Sequence, residues 1–308
     1  MKPGFLVIEK ETGTRSTSCV SVVKRVLGRN VRVGHGGTLD STAGGILVLL
    51  VGRATRASRY VMALPKTYET IARFGLRTST DDMTGETLEE HDAGYLDDGV
   101  IDRAVLSLLG LRDQIPPSIS AVRVAGKRAH FLARSGESVV LSPRPVMVTS
   151  IARATSISHT REVKLLIRCH RGTYIRSLVR DLGEILGCGA TVVALERTSI
   201  GPFDRAGSIS SALLGESGRE YLETRIIPVS EIHKGFTTYR VHPFHERALL
   251  SGKPVPMDQM ERISWGGSLS ESLILLLSER FVSFAAISRT EGFSTATPVT
   301  TIETGDVE

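Results

Sequence analysis

The stretch VGHGGTLDSTAGGIL, residues 33–47, decides how the rest of this chain is interpreted. Four glycines lie around one acid, Asp40, and an aliphatic run, residues 46–51, follows at once. Glycine at this density indicates backbone in conformations closed to other residues, or backbone close to a ligand. The short aliphatic run is bounded by glycines and predicts a buried strand. We therefore predict that Asp40 lies on a loop leading into a core strand, where chemistry is often placed.

Two other interpretations of this loop are open. An Asp in such a position most often forms a turn or caps a helix. The GxGG pattern before Thr38 is also compatible with a weak phosphate-binding loop. That loop lacks the Lys-Ser/Thr ending of a P-loop, and no acidic residue follows where a dinucleotide fold requires one. The residues of the loop alone leave the role of Asp40 undecided.

Composition indicates a globular protein. The 308 residues are 41% hydrophobic and 23% charged, and the chain is long enough for two domains. Its three cysteines are far apart and form no CxxC pair, which argues for a reducing compartment and against a disulfide framework or zinc site. No signal peptide is recognisable, and no apolar run approaches the ~20 residues of a membrane span. We expect a cytoplasmic protein without a metal ion.

The positive charge is concentrated in two blocks. The formal net charge is +5, with six basic residues against two acids in residues 111–145 and six against one in residues 161–180. Residues 81–98 are acidic and contain no Lys or Arg. Local concentration of positive charge is expected of a protein that contacts a phosphate backbone. Two solvated helix faces would give the same pattern, so charge alone does not decide.

Hydrophobic periodicity predicts interspersed strands and helices through residue 195. Strands are predicted at residues 5–8, 46–51, 66–76, 146–157, 163–169 and 190–195, and helices at residues 18–27, 54–64, 98–109 and from about 172 to 187. Tyr68 lies on one of these strands and is capable of proton transfer, although an isolated strand Tyr usually packs. Arg176 lies in the first turn of the last helix, an unfavourable end for a cation. Its position raises the question of which anion it meets.

Two segments differ in character from this core. Residues 114–145 are basic and proline-punctuated, with a short helix predicted at 128–134, and are either an RNA-contacting arm or a long surface insertion. The charge favours the arm. Residues 238–308 suggest a small β-rich module, and the Thr/Ser/Glu-rich end from about residue 291 is expected to be poorly ordered.

Several segments resemble the TruB family of tRNA pseudouridine synthases. They are GHGGTLDSTAGGIL (34–47), KTY (66–68), TSTDDMTGE (78–86), QIPPSISA (114–121), RGTYIRSLVRDLGEILGCGA (171–190) and LERTSIGPF (195–203). They follow the family's order and approximate spacing across essentially residues 4–202. One such motif would be weak, whereas their combination is highly specific.

The resemblance implies a fold and a reaction. The expected fold is α+β, with a mixed, largely antiparallel sheet flanked by helices in a catalytic domain, residues 1–232, that carries an RNA-binding thumb at about 112–145. A small β-rich PUA-like domain, residues 237–308, is expected to follow, its last residues disordered. The implied reaction isomerises the T-loop uridine of tRNA, position 55, to pseudouridine without a cofactor. The implied partner is tRNA, contacted at the T-arm, the elbow and the acceptor stem by a monomer.

The resemblance also assigns catalytic roles. Asp40 falls on the catalytic carboxylate, which can attack as a nucleophile and later leave. Whether it attacks the base or assists at the sugar stays open. Arg176 matches an Arg that pairs with this Asp, and its guanidinium would hold the carboxylate ionised and aimed. Tyr68 matches an aromatic residue that stacks on the target base, and Leu195 an apolar contact below it.

Substrate binding involves a further group of residues. A stacked uridine must be everted before it reacts, and His35 matches a residue that fills the gap. Thr38, Lys66 and Tyr174 lie in the matching motifs and are expected to bind substrate. The expected RNA-binding residues of the thumb are Arg123, Lys127, Arg128 and Arg134.

The chain departs from the family pattern at a few positions. Ser41 stands where the family usually has Pro, Ile119 replaces an aromatic residue, His130 replaces a thumb Tyr, and Glu196 replaces Arg. None of these changes removes a catalytic group. If these substitutions have weakened catalysis, the alternative function is that of a tRNA-binding and folding protein. Retention of Asp40 together with its expected partners favours the enzyme.

Overall fold

In the computed structural model, the aliphatic run after the glycine loop forms a buried strand, as predicted. This strand, β3 (Gly44–Val51), pairs antiparallel with β1 (Gly4–Lys10), so that Phe5 lies opposite Leu50. Residues 46–51 are all at most 1% exposed. Both faces of the strand are covered, which explains why the sequence shows a continuous aliphatic run there instead of an alternation.

The structure describes residues 2–119, 123–124, 127–128, 141–266, 273–290 and 292–305. The chain divides into two compact units, Met1–Pro65 with Ser199–Glu308, and Lys66–Thr198. The helices are α1 (Ser16–Leu27), α2 (Ser58–Ala63), α3 (Asp98–Leu106), α4 (Ile175–Leu186), α5 (Arg219–Thr224) and α6 (Pro243–Leu250). The remaining strands are β2 (Val33–His35), β4 (Lys66–Phe74), β5 (Leu76–Thr78), β6 (Thr87–Glu90), β7 (Gly110–Gln114), β8 (Arg123–Val124), β9 (Lys127–Arg128), β10 (Arg144–Arg153), β11 (Glu162–Cys169), β12 (Ala190–Ile200), β13 (Ile209–Ser210), β14 (Ile227–Pro228), β15 (Thr238–Arg240), β16 (Val255–Pro256), β17 (Glu261–Ser264), β18 (Leu273–Leu277), β19 (Phe281–Thr290) and β20 (Phe293–Glu303).

In the first unit, β1 and β3 separate two hydrophobic cores. Leu6 and Ile8 face α1, whose buried Cys19, Val23 and Leu27 recur every fourth residue. Side chains on the opposite face, including Phe5, join a second core. The alternation of side chains along a strand thus lets two short strands serve both cores.

The second core of the first unit includes the C-terminal sheet. That sheet has the strand order β16-β20-β19-β18-β15-β17. Phe284 on β19 stacks on Tyr60 of α2, with ring centroids 3.6 Å apart and planes 3° from parallel. The Tyr60 hydroxyl donates to Thr300 Oγ1 on β20 at 2.8 Å. The C-terminal sheet therefore packs into the same core as β1 and β3.

The second unit is built on an array in the order β12-β4-β11-β10-β7. The predicted hairpin is confirmed, because β10 and β11 pair antiparallel. Strand β11 also pairs antiparallel with β4, so that Tyr68 lies opposite Ile167. Helix α4 ends as predicted at Gly187, which adopts the left-handed conformation. The α+β prediction is confirmed.

Several predicted boundaries were wrong. The strand predicted at 66–76 breaks at Gly75, whose φ is +85° and whose Cβ, if present, would lie 2.7 Å from the His91 carbonyl oxygen. The chain therefore turns there and continues as β5. The helix predicted at 54–64 is a 3₁₀ segment, Gly52–Ala57, followed by α2. Thr55 Oγ1 donates to the Gly52 carbonyl at 2.8 Å, a side-chain bond that competes with regular α-helical pairing.

The expected disorder from about residue 291 is also wrong for most of that segment. Residues 293–303 form β20, which pairs with β19 along its length. Ala296 and Ile302 are fully buried, and the alternation of β-branched residues suits a strand with one covered face. The low aliphatic content of this segment led to the prediction of disorder. The segment is nevertheless ordered as a strand because pairing with β19 helps to bury its side chains. Residues 306–308 lie outside the described residues.

Candidate active site

The loop carrying His35 and Asp40 is held by contacts on both sides. The Gly36 amide donates to the Val48 carbonyl at 2.8 Å, and a Cβ on Gly36 would lie 2.3 Å from Val61 Cγ1. Only glycine allows the loop to approach α2 this closely. The carbonyl of His35 accepts a hydrogen bond from Ser58 Oγ at 3.0 Å, and its Nδ1 accepts from the Gly37 amide at 3.3 Å.

The backbone next to Asp40 is fixed by Ser16. Ser16 Oγ donates to the Leu39 carbonyl and accepts from the Leu39 amide, both at 2.9 Å. The carbonyl of Asp40 accepts from the Ala43 amide at 3.2 Å. Asp40 itself is only partly covered, whereas Leu39 is buried and Thr38 is exposed. The loop therefore presents Asp40, a partly exposed residue, from an anchored backbone.

A buried lysine secures the far side of the same loop. Lys10 is 1% exposed, and its Nζ donates to the carbonyls of Ala43 at 2.6 Å, Thr14 at 2.8 Å and Glu11 at 3.0 Å. Three carbonyl acceptors satisfy the ammonium's three donors, as burial of that group requires. The carbonyl of Ser41 also accepts from the Gly13 amide at 2.7 Å. The glycine loop is thus tied to the segment that follows β1.

In the second unit, Lys66 and Tyr68 lie on the same buried face of β4. Lys66 is 6% exposed and Tyr68 is 8% exposed. Burial lowers the pKa of Lys66 to about 7, and the nearby Arg197 guanidinium acts in the same direction. Leu195 lies half-covered on the neighbouring strand β12, where the carbonyl of Ala194 accepts from Thr70 Oγ1 at 2.8 Å.

Arg176 is the second residue of α4 and is 4% exposed. Its Nη1 donates to the Thr80 carbonyl, and its Nη2 donates to the Ile119 carbonyl, each at 2.9 Å. Nη1 also lies 3.7 Å from Asp82 Oδ2, forming an ion pair. These acceptors offset the unfavourable position of a cation at a helix N-terminus.

Asp82 is a buried carboxylate that was not among the predicted site residues. Its Oδ1 accepts from Thr84 Oγ1 at 2.6 Å, Thr80 Oγ1 at 2.7 Å and the Thr84 amide at 3.1 Å. Burial alone would raise the pKa of Asp82, but hydrogen bonds from Thr84 and Thr80 and the charge of Arg176 hold it below its ordinary value. Asp82 is therefore an ionised partner of Arg176. The flanking threonines of TSTDDMTG are the sequence signal that could have identified it.

The start of α4 is also joined to the root of the predicted thumb. The buried Gln114 side chain accepts from the Tyr174 amide at 2.8 Å and donates to the Tyr174 carbonyl at 3.1 Å. One turn beyond Arg176, Arg180 Nη2 donates to the Ile115 carbonyl at 2.8 Å, and its Nη1 binds Asp81 Oδ2 at 2.9 Å. The segment that enters the insertion is thus held by an amide and two guanidinium groups.

The predicted thumb is described only in part. Arg123 lies on β8, and Lys127 and Arg128 lie on β9; the two strands pair antiparallel, with Arg123 opposite Arg128. The predicted helix at 128–134, Arg134 and His130 lie outside the described residues, apart from Arg128. Their expected contacts with RNA stay predictions.

The described residues show neither a metal-binding group nor a membrane span. No cluster of three or more His, Cys, Asp or Glu is arranged to hold a metal ion in the part of the chain that is described. No described helix combines the length and apolar character that crossing a membrane requires.

Sequence comparisons identify the family. The profile described as TruB family pseudouridylate synthase (N terminal domain) matches residues 24–175, and that described as tRNA pseudouridylate synthase B C-terminal domain matches residues 176–232. The tRNA pseudouridine synthase B of Thermotoga maritima is 34% identical over 295 residues, covering 95% of this chain and 93% of the relative. This chain belongs to the TruB family.

Further relatives agree with this TruB assignment. The tRNA pseudouridine synthase B of Arthrobacter sp. is 36% identical over 86% of this chain and 82% of its own length. The enzyme of the same name from Acaryochloris marina is 44% identical over 69% of this chain and 73% of its own length. The predicted family resemblance is confirmed.

Solved structures show that the TruB chain shares its fold with more distant proteins. A chain of a Cbf5-Nop10-Gar1 complex superposes with a TM-score of 0.70 at 20% identity, covering 97% of this chain and 84% of that one. A chain of an H/ACA RNP bound to a substrate RNA containing 2'-deoxyuridine gives a TM-score of 0.68 at 19% identity, with the same coverage. At this identity the likeness concerns the fold alone.

The predicted site residues of this TruB chain fall into groups within each unit. His35 and Asp40 share the anchored loop of the first unit. In the second unit, Lys66, Tyr68 and Leu195 lie on adjacent strands, and Tyr174 and Arg176 lie at the start of α4. The expected pairing of Asp40 with Arg176 stays a prediction. Sequence reasoning missed Lys10, Ser16, Asp82 and Gln114, whose roles depend on partners far along the chain.

Proposed function

We propose that this chain isomerises a uridine of tRNA to pseudouridine, and that the uridine is the one at position 55 in the T loop. The observation that carries the proposal is family membership, since two TruB-family profiles together span residues 24–232. The relatives named tRNA pseudouridine synthase B are similar along most of their own length. The anchored loop around Asp40 supports a chemical role for that carboxylate.

The reaction is balanced within the substrate. The bond between N1 of uracil and C1′ of ribose breaks, a bond between C5 and C1′ forms, and the proton that leaves C5 is matched by one gained at N1. No redox partner or group donor is needed, and the proposed mechanism uses none. Asp40 provides the carboxylate that acts during the cleavage, on a loop whose backbone Ser16 holds at Leu39 and Lys10 holds at Ala43.

The proposed partner of Asp40 is Arg176. A guanidinium can hold a carboxylate ionised through a forked contact. Contacts within the second unit support this role, because Thr80, Ile119 and Asp82 orient the Arg176 side chain at the start of a helix. A side chain held on both sides needs little reorganisation when substrate binds.

The remaining roles concern the uridine itself. In the proposal, Tyr68 stacks on the everted base, Leu195 contacts it from below, and His35 fills the vacated position in the T loop. Lys66, Thr38 and Tyr174 bind the substrate around it. Eversion costs a few kcal/mol, which binding of the rest of the tRNA must supply.

Binding of the tRNA is assigned to two further parts of the chain. The proposed domains are a catalytic domain, residues 1–232, with a thumb at 112–145, and a PUA-like RNA-binding domain, residues 237–308. The thumb would contact the T-arm and elbow through Arg123, Lys127, Arg128 and Arg134, and the C-terminal domain the acceptor stem. We propose that the enzyme acts as a monomer.

Mapping pseudouridine at nucleotide resolution tests this function. An unmodified tRNA transcript is incubated with the chain, with Asp40→Ala, and with Asp204→Ala as a control that removes an exposed carboxylate of the same unit. We expect pseudouridine at position 55 with the chain and with Asp204→Ala. We expect none with Asp40→Ala, which should still bind tRNA with nearly unchanged affinity.

Two outcomes would contradict the proposal. Absence of pseudouridine with the unmodified chain, despite tRNA binding, would favour the alternative of a tRNA-folding protein. Loss of both binding and catalysis in Asp40→Ala, with a lowered melting temperature, would assign Asp40 a structural role.

A further inference from the structure

The only tryptophan of the 308 residues, Trp265, lies on the surface of the first unit. It follows β17 in the C-terminal sheet and is 76% exposed. A single exposed apolar residue needs no explanation by itself. Trp265 differs because both its backbone and its ring are held in place.

Contacts on either side fix the backbone of Trp265. Ser264 Oγ donates to the carbonyls of Phe236 at 2.8 Å and His233 at 3.2 Å. The Gly266 amide donates to Thr237 Oγ1 at 3.3 Å, and a Cβ on Gly266 would lie 2.2 Å from Phe236 Cα. Phe236 is 1% exposed and belongs to the core of the unit. The chain therefore passes against the core on both sides of Trp265 while the indole points into solvent.

Arg262 fixes the ring itself. Its guanidinium carbon lies 3.5 Å from the centroid of the Trp265 ring, a cation–π contact. The indole remains mostly exposed with this guanidinium against it. The pair combines a flat aromatic surface with an adjacent cation. Proteins use this combination for single-stranded nucleic acid, because bases stack on aromatic rings and Arg adds stacking and phosphate contacts.

We propose that Trp265 and Arg262 form a stacking site for an unpaired nucleobase of the RNA substrate. The inference rests on the proposed function, which makes tRNA the partner, and it adds a specific contact made by the C-terminal sheet. The ring is held before binding, so little side-chain entropy is lost when a base stacks on it. An apolar peptide would gain less from the cation beside the ring.

Fluorescence tests the site directly, because every tryptophan signal of this chain comes from Trp265. The full chain is titrated with an unmodified tRNA transcript while binding is followed independently by filter retention. We expect the emission of Trp265 to be quenched along the same curve as the binding. In Trp265→Ala the Kd for tRNA should rise about tenfold or more, the usual effect of losing one stacked base.

Matched variants separate stacking from other effects. Trp265→Phe keeps a ring and should recover most of the affinity, while Arg262→Met should weaken binding and reduce the quenching. Phe244→Ala removes another exposed aromatic residue of the C-terminal sheet region, 82% exposed, and should bind like the unmodified chain. Thermal melting should be the same for all four variants, because each site is on the surface.

The inference is overturned if saturating tRNA leaves the emission unchanged, or if Trp265→Ala binds tRNA as tightly as the unmodified chain. Pseudouridine mapping on the same samples separates this failure from failure of the proposed function. Pseudouridine formed without quenching would remove the stacking site and keep the enzyme. Quenching without pseudouridine would keep the stacking site and remove the enzyme.

Discussion

Single residues in this structure show how burial changes a charged group, and Lys66 is an example. Its amino group is almost entirely covered, and burial with the nearby Arg197 lowers its pKa from 10.5 to about 7. Between about pH 7 and pH 10.5 the unfolded chain therefore binds more protons than the folded chain at this position. Replacing Lys66 with an uncharged residue should therefore raise the free energy of unfolding. This gain should be present in full below pH 7 and should decrease as pH rises from about 7 towards 10.5.

Lys66→Met tests this linkage. The free energy of unfolding of the variant minus that of the unmodified chain, measured by urea titration, should be larger near pH 6 than near pH 9. The difference should shrink by about 1–3 kcal/mol over that interval, since about two pH units of it lie above the folded-state pKa and each is worth about 1.4 kcal/mol. Lys164→Met, which removes a more exposed amino group on β11, is the control. Parallel pH profiles for Lys66→Met and the unmodified chain would contradict the prediction.

At the scale of elements, the first turn of α4 brings together three segments of the second unit. Arg176 and Arg180 lie one turn apart and bind carbonyls of the segment 115–119 as well as Asp82 and Asp81. Gln114 pairs with the backbone of Tyr174. Arg176 and Arg180 each use a planar guanidinium to donate to two partners at once. Gln114 uses its amide both to donate and to accept. The helix start therefore fixes the side chain that we propose as the partner of Asp40.

We predict that Arg176→Lys is strongly damaging. An ammonium cannot reach the Thr80 and Ile119 carbonyls and a carboxylate together as a planar fork does. The rate of pseudouridine formation under single-turnover conditions should fall by about 100-fold, comparable to the loss of one preorganised electrostatic group, with tRNA affinity changed less than threefold. Asp82→Asn should reduce the rate in the same way because it removes the charge that faces Arg176.

The control for this pair is Arg219→Lys, in an exposed ion pair with Glu223 on α5. It should leave both rate and affinity unchanged, since exposed ion pairs contribute little. A normal rate in Arg176→Lys would show that a forked contact is not needed at this position.

At the scale of the whole molecule, the C-terminal sheet shares a core with the strands that carry the glycine loop. Phe284 and Ile302 pack in one cluster with Phe5, Leu50 and Tyr60. This hydrophobic core of the first unit therefore contains residues from both sides of the domain boundary proposed near residue 232. Removal of an aromatic ring from the C-terminal sheet should therefore also destabilise β1 and β3.

Phe284→Ala should accordingly destabilise the first unit as a whole, by about 3–5 kcal/mol for a buried Phe. Hydrogen exchange should show faster exchange in β1 and β3 as well as in β19. Phe244→Ala, at an exposed aromatic position, is the matched control. Acceleration confined to residues 237–305 would mean that the C-terminal sheet unfolds independently.

Charge distribution leads to a prediction for the whole complex. Replacing Arg123, Lys127 and Arg128 with Met should weaken tRNA binding and reduce the slope of log K against log salt by up to about 3, because each phosphate contact releases about one counterion. The matched control replaces Arg205, Arg219 and Lys234, three exposed cations of the first unit, which should leave the slope closer to that of the unmodified chain. An unchanged slope in the thumb variant would remove the thumb from the RNA contact.

Much of the fold was predictable from local sequence. The aliphatic run 46–51, the spacing of Val23 and Leu27 and the stop at Gly187 each predict an element that the structure confirms. Predictions failed where a neighbour along another strand decided the outcome. Residues 293–303 became a strand through pairing with β19, and the chain turns at Gly75, whose φ is +85° and where the His91 carbonyl leaves no space for a side chain.

The candidate site also has features that local sequence predicts and features that only distant neighbours decide. Residue identity and motif order were enough to predict the family to which the chain belongs, and they are the basis on which Asp40, Tyr68 and Arg176 are proposed as site residues. The structure alone showed that Lys10 binds three backbone carbonyls, that Ser16 holds Leu39, and that Asp82, whose pKa is lowered, lies beside Arg176. These contacts join residues as far apart along the chain as Asp82 and Arg176, and many of their acceptors are backbone carbonyls, which every residue type carries. Sequence specifies the groups that can react, whereas the fold decides which of them are held still, because that depends on neighbours that local sequence does not reveal.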